Sequence, residues 1–89
     1  MSKDLTLKRA MDLSDKEQVN GLWVDWYYYP MDRPGYVVLK SQGVKVLEAR
    51  LDQKITLDEC GIAVVHNTSG ATARMTFFKL ERMVPSDFA

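Results

Sequence analysis

Apolar and polar side chains alternate with a period of two along several short segments of this sequence, the signature of half-buried β-strands. The densest segment is Gly21-Leu22-Trp23-Val24-Asp25-Trp26-Tyr27-Tyr28-Tyr29-Pro30, which holds both tryptophans and three of the four tyrosines. Its β-branched and aromatic content favours a strand over a helix, and Gly21 and Pro30 punctuate its ends. Read with a period of two, Leu22, Val24, Trp26 and Tyr28 form a face suited to a core. Trp23, Asp25, Tyr27 and Tyr29 form the other face, aromatic but interrupted by a carboxylate. The reading is therefore a central strand with one packed face and one contact face.

Around it, Leu5 to Met11 begins with an alternation that predicts a first edge strand, with Lys8-Arg9 discouraging pairing with other chains. Ser14 and Glu17 have capping-box spacing, which predicts about one helical turn before Asn20-Gly21, or else a polar turn between strands. Pro30 to Gly35 reads as a loop stiffened by two prolines, with Pro34-Gly35 as the centre of a turn. Tyr36 to Lys40 then folds back antiparallel on the aromatic strand, and Ser41-Gln42-Gly43 turns the chain again. Residues 44 to 52 are ambiguous: Val44, Leu47 and Leu51 fit a helix stripe, whereas Val44 and Val46 alternate as in a strand. The short turn at Gly43 favours the strand, and the change of apolar phase between Val46 and Leu47 then requires a bulge.

Lys54 to Cys60 reads as a loop with one helical turn capped by Thr56. Residues 61–66 and 71–80 form two strands joined by Asn67-Thr68-Ser69-Gly70, a tight-hairpin sequence. Glu81 to Val84 extends the second of these strands, Pro85 ends it and the last four residues form a tail. The expected fold is mainly β: one domain over 1–89, a small antiparallel barrel or rolled sheet of about five to six strands, with at most one or two short helical turns.

Composition narrows the function classes. Lys plus Arg and Asp plus Glu number twelve each, so the formal net charge is zero, which disfavours a chain devoted to nucleic acid or anionic membrane. The one cysteine, Cys60, rules out an intramolecular disulfide, and no segment approaches the ~20 apolar residues of a membrane helix. A cytoplasmic protein is expected.

Specific chemistry is hard to find. Along an extended segment Cys60 and His66 would lie ~20 Å apart, too far for a nucleophile and its base. One His and one Cys cannot make a zinc site of the usual kind. The five glycines fall singly at turns, so there is no phosphate-binding loop. No enzyme activity, cofactor or metal is expected.

The reading that remains is a non-catalytic protein-interaction module. Its candidate partner-binding residues are Trp23, Asp25, Tyr27 and Tyr29 on the strand, continued by Asp32 and Arg33 in the loop, because Trp, Tyr and Arg dominate interface hot spots. Size and lack of motifs place it with small accessory proteins, such as those of phages and mobile elements, that bind and block a host factor. Two alternatives stay open. One is a small β-barrel that stacks single-stranded nucleic acid on Trp23, Tyr27 and Tyr29 beside Arg33, Lys40, Lys45, Arg50 and Lys54. The other is a structural subunit of a larger assembly. It also stays open that the chain's own second layer covers the aromatic face.

Overall fold

Leu7, Ala10 and Met11 stand at the i, i+3 and i+4 spacing of a helix stripe, and the chain uses it. In the computed structural model, which describes residues 5–79, the order is β1 (Leu5–Thr6), α1 (Leu7–Leu13), β2 (Lys16–Val19), β3 (Leu22–Trp23), β4 (Trp26–Tyr28), β5 (Tyr36–Ser41), β6 (Val44–Arg50), β7 (Lys54–Ile55), β8 (Ile62–His66) and β9 (Thr72–Phe78). The expected edge strand over 5–11 is thus mostly helix. Thr6 caps it, its hydroxyl accepting the Arg9 N–H at 3.2 Å. Leu7, Ala10, Met11 and Leu13 are buried beneath it. Lys8 and Asp12 ion-pair at 2.9 Å on the exposed side.

Ser14 ends this helix rather than starting one. Its backbone is extended and its N–H donates to the Ala10 carbonyl at 3.0 Å. Glu17, three residues on, lies in β2, where its carboxylate accepts a hydrogen bond from the Ser14 hydroxyl.

The ladders are antiparallel throughout and fall into three sheets, with orders β1-β7, β3-β2-β9-β8 and β4-β5-β6. Among the described residues they do not join into a closed barrel. The core faces meet in register: Val19 opposite Met75, Ala63 opposite Met75, Val65 opposite Ala73, Val37 opposite Ala49, and Leu39 opposite Leu47. These residues join Leu7, Ala10, Met11, Leu13 and Phe77 in one buried cluster. Leu5 and Ile55, paired across β1 and β7, close it at one side.

The hairpin expected over 61–80 is present as β8 and β9, with Asn67 N–H bonded to the Ala71 carbonyl at 2.8 Å across the turn. Its second strand ends at Phe78. Leu80, the extension over 81–84 and the tail after Pro85 lie outside the described residues. Residues 44–50 are a strand, and the required bulge is there: Leu39 faces Leu47 while Lys40 faces Lys45, leaving Val46 as the extra residue. Gln42 and Gly43, both at positive φ (51° and 79°), make the two-residue turn before it. The expected helical turn at Thr56 is absent. Lys54–Ile55 is a strand, and Asp58 instead organises a turn, its carboxylate accepting the Cys60 and Ile62 N–H groups at 2.8 and 3.0 Å.

The aromatic segment is not one strand. Asn20 and Gly21, at φ 50° and 84°, form a tight turn that folds β3 back on β2. Asn20 is held to β9, its N–H donating to the Arg74 carbonyl at 2.7 Å and its side-chain oxygen accepting the Arg74 N–H at 2.9 Å. The chain then changes sheets within one step. Val24 N–H bonds the Glu17 carbonyl of β2, and Asp25 N–H bonds the Lys40 carbonyl of β5, each at 3.0 Å. This switch overturns the expected core face: Leu22, Trp26 and Tyr28 are exposed, and only Val24 packs against the core. A period-two face needs one uninterrupted sheet beneath it, and here the sheet changes at the middle of the segment.

At the far edge, Gln53 lies beside β8. Its amide oxygen accepts the His66 N–H at 2.9 Å, while its amide nitrogen donates to the His66 and Arg50 carbonyls, both at 3.1 Å.

Glu17 is a carboxylic acid on a core face, 6% exposed and opposite Phe77. Burial pushes its carboxyl above the usual range; the Ser14 hydroxyl works against this and the Asp15 charge with it. A raised folded-state value favours the folded state below the unfolded carboxyl range, near pH ~4.3, and that contribution is lost as pH rises through the folded value. Glu17→Gln should therefore melt higher than the parent at pH 7, with the gap narrowing towards pH 4. Paired thermal melts across that range test it; a gap independent of pH, or one of opposite sign, refutes the assignment.

Candidate interaction surface

Five aromatic side chains between residues 23 and 29, namely Trp23, Trp26, Tyr27, Tyr28 and Tyr29, are each between 40% and 56% exposed. β3 and β4 are edge strands of different sheets. The switch at Val24–Asp25 divides the aromatics into three groups.

Trp23 belongs to the four-stranded sheet. Its ring lies 5.0 Å from that of Phe78, and the Lys16 ammonium stands 5.0 Å above it. Tyr27 and Tyr29 meet edge to face at 5.8 Å. Tyr27 is opposite Leu39 on the core side of the three-stranded sheet. Partial burial and the neighbouring Tyr27 push the Tyr29 phenol above its ordinary range, with Lys8 of α1 acting in the opposite sense.

Trp26 and Tyr28 point the other way, with ring centroids 5.1 Å apart and planes tilted by 36°. Register places them in rows across the outer face of the three-stranded sheet: Trp26, Lys40 and Lys45 in one, then Tyr28, Val38 and Glu48, then Tyr36 and Arg50. The Lys40 ammonium stands 5.8 Å over the Trp26 ring, and the Arg33 guanidinium 5.7 Å over that of Tyr36. Cations over electron-rich ring faces gain roughly 0.5–1 kcal/mol at such exposed sites.

Glu48 sits at the centre of this face with its side chain only 5% exposed. Lys45 donates to Oε1 at 3.1 Å, and the Arg33 guanidinium contacts Oε2 as an ion pair that is not an aligned hydrogen bond. The Val46 bulge makes the first contact possible. In a regular strand residues 45 and 48, an odd number apart, would point to opposite faces. The extra residue brings Lys45 round to the side of Glu48. The Glu48 carbonyl also accepts the Thr68 N–H at 2.8 Å, fixing β6 to the turn after β8.

The six residues read from the sequence as one contact surface are therefore distributed. Tyr27 and Tyr29 are together. Trp23 is on the other sheet. Arg33 reaches Glu48 on the face opposite to Tyr27. Asp25 accepts the Gln42 N–H at 2.7 Å and so anchors the β5–β6 turn, and Asp32 is exposed in the loop. The residues that sequence reasoning missed are Trp26 and Tyr28, taken for core, together with Tyr36 and Glu48. Lys40 and Lys45 lie in the row of Trp26, on the face opposite to Tyr27. The Val46 bulge was the available signal: carrying it through the pairing places Lys45 with Glu48.

Other groups offer little chemistry. Cys60 is exposed in the Asp58 turn, and His66 lies at the opposite end of β8. His66 lines a shallow recess of ≈ 270 Å³ with Tyr36, Arg50, Gln53, Asn67 and Thr68. Arg50 is already held by Asp52 through two parallel bonds of 3.0 Å. Among the described residues no three His, Cys, Asp or Glu side chains are grouped to hold a metal ion, and no helix is long and apolar enough to cross a membrane.

Arg33→Ala leaves the buried Glu48 carboxylate with one cation instead of two. It should destabilise the fold by about 1–3 kcal/mol, the cost of under-satisfying a buried charged group, with Arg33→Lys in between. Urea denaturation checks this, and a loss below about 0.5 kcal/mol would mean that solvent already satisfies Oε2. Comparison with protein-family models, curated proteins and solved structures finds no match for this chain.

Proposed function

We propose that this chain is a non-catalytic binding module that engages a protein partner through its exposed aromatic ribbon, residues 22–29. One observation carries the reading: five aromatic rings stand 40–56% exposed on adjoining edges of two sheets. A small domain gains nothing in stability by leaving so much apolar area in water, and contiguous patches of this kind mark interaction sites. Tyr and Trp bury large area with few rotatable bonds, which makes them efficient anchors at an interface. The two larger sheets, hinged at Val24–Asp25, act as a single rolled sheet that holds the ribbon at its fold line. A single cysteine suits a reducing compartment such as the cytoplasm. A small inhibitor or adaptor that covers a host factor has this form, and so does a subunit that buries the ribbon permanently in an assembly.

The position of Lys40 over Trp26 supports a second reading, in which the outer face binds single-stranded nucleic acid. It is the weaker one. Zero net charge limits phosphate neutralisation. A base stacking on Trp26 would also compete with the Tyr28 ring and the Lys40 ammonium already placed against it.

The test separates binding from folding. A fully buried tryptophan cut to alanine would cost about 3–5 kcal/mol. Trp26→Ala and Tyr28→Ala should each cost under about 1.5 kcal/mol, the scale of one aromatic pair contact. Once a partner is captured from native extract, the same substitutions should weaken its binding by more than about 1 kcal/mol, measured by titration calorimetry. Core-sized destabilisation, or partner affinity indifferent to the whole ribbon, would remove this proposal.

A further inference from the structure

The outer face of the four-stranded sheet carries cations and no carboxylate. Alternation and register put Lys16, Arg74 and His66 on it, and no Asp or Glu of β2, β3, β8 or β9 shares that face. The acidic residues nearest along the chain are placed elsewhere. Glu17 points to the core, and Asp15 lines a separate recess with Trp26 and Tyr27. In the turn before β8, Asp58 accepts the Cys60 and Ile62 N–H groups, and Glu59 is exposed. Lys16 has its contact with the Trp23 ring. Among the described residues, the Arg74 guanidinium has no carboxylate within ion-pairing distance and no hydrogen-bond acceptor.

Arg74 stands at a recess of ≈ 480 Å³ on this face, lined also by Gln18, Asn20, Gly21 and Thr76. Backbone bonds set its walls. Asn20, in the left-handed turn at φ 50°, donates its N–H to the Arg74 carbonyl at 2.7 Å and accepts the Arg74 N–H on its side-chain oxygen at 2.9 Å. That oxygen is thereby spent, and the Asn20 amide nitrogen is left as a donor. Thr76 follows Arg74 by two residues along β9 and so shares its face, and Gln18 lies directly opposite Thr76. Among the described residues, the Gln18 amide, the Asn20 amide nitrogen and the Thr76 hydroxyl have no hydrogen-bond partner. We propose that this recess binds an oxyanion: the phosphate group of a small phosphorylated molecule, or free phosphate. A permanently charged guanidinium among neutral donors, with no acidic side chain in the lining, selects negative charge. The donors come from β2, the Asn20–Gly21 turn and β9, so they suit oxygens spread in several directions better than a planar carboxylate. The site is separate from Trp26 and Tyr28 and does not rest on the protein-binding reading.

The experiment titrates sodium phosphate, glycerol 3-phosphate and sodium acetate into the ¹⁵N-labelled full chain at constant ionic strength, followed by amide NMR. Phosphate or its ester should shift the Asn20, Gly21, Arg74 and Thr76 amides saturably in the millimolar range. Tighter binding of the ester assigns the site to a phosphorylated molecule; equal or tighter binding of phosphate assigns it to the free ion. Acetate should bind at least roughly five-fold more weakly. Arg74→Ala should weaken phosphate binding by about ten-fold or more, with Arg74→Lys in between. The Asn20 bonds use the Arg74 main chain, so Arg74→Ala should fold, and thermal melting verifies this. Should it not fold, Arg74→Gln makes the same comparison. Lys16→Ala, on the same face but outside the recess, should change the affinity by less than about two-fold. No saturable shift at tens of millimolar phosphate overturns the proposal, as does binding indifferent to Arg74. Acetate binding as tightly as phosphate overturns the choice of ligand. A loss in Lys16→Ala equal to that in Arg74→Ala means diffuse attraction to the whole face and overturns the recess as a site.

Discussion

Two consecutive backbone amides hold this molecule's shape together. Val24 donates to Glu17 in one sheet and Asp25 to Lys40 in another, so the chain changes ladders with no residue between them. The Asp25 carboxylate adds a third tie by accepting the N–H of Gln42, a residue at positive φ in the β5–β6 turn. Everything on either side inherits its orientation from this crossing. β2 with β3 is committed to β9, β4 is committed to β5, and the aromatic side chains between them fall on edges. A continuous strand through 22–29 would have buried one row of rings. The crossing exposes both rows, so the exposed aromatic surface follows directly from the backbone pairing.

Much of the fold was legible from local rules because the governing interactions are local. The Asn67–Gly70 hairpin, the proline-stiffened loop before Tyr36 and the strand at 44–50 follow from turn chemistry and alternation. The Val46 bulge follows from a single change of apolar phase. What escaped depended on partners distant in sequence. Leu5 and Leu7 alternate like a strand, yet Leu7 with Ala10 and Met11 also makes a helix stripe. Tertiary burial decided for the helix. The Ser14–Glu17 pair has the spacing of a helix start, but its hydrogen bond serves a buried carboxylate in β2. The core face was misread for one reason. Alternation predicts faces only within one sheet, and no local feature at Val24–Asp25 announces that the sheet changes.

The two buried carboxylates show contrasting solutions to one problem. Glu17 has a neutral hydroxyl partner and an acidic neighbour, so its surroundings resist ionisation. Glu48 instead has two cationic partners, Arg33 and Lys45. One of those cations comes from the loop and the other is brought into range by a bulge. Glu48 therefore links the Pro30–Gly35 loop, the bulged strand and, through its carbonyl, the turn at Thr68. A charge placed under a sheet face in this way restrains the long side chains of Arg33 and Lys45 above it.

The Gln53 side chain has a further significance. An amide carries the same donor and acceptor as a peptide group, and this one takes up both polar groups of His66 at the rim of the four-stranded sheet. It plays the part of a missing neighbouring strand, one residue long. The opposite rim is β3, only two residues in length. A β-rich chain that displays five aromatic rings is at risk of stacking on copies of itself. Here one sheet rim is occupied by a side chain that imitates backbone and the other is too short to template a ladder. The molecule can thus expose an aromatic surface while offering that sheet little purchase for fibre growth.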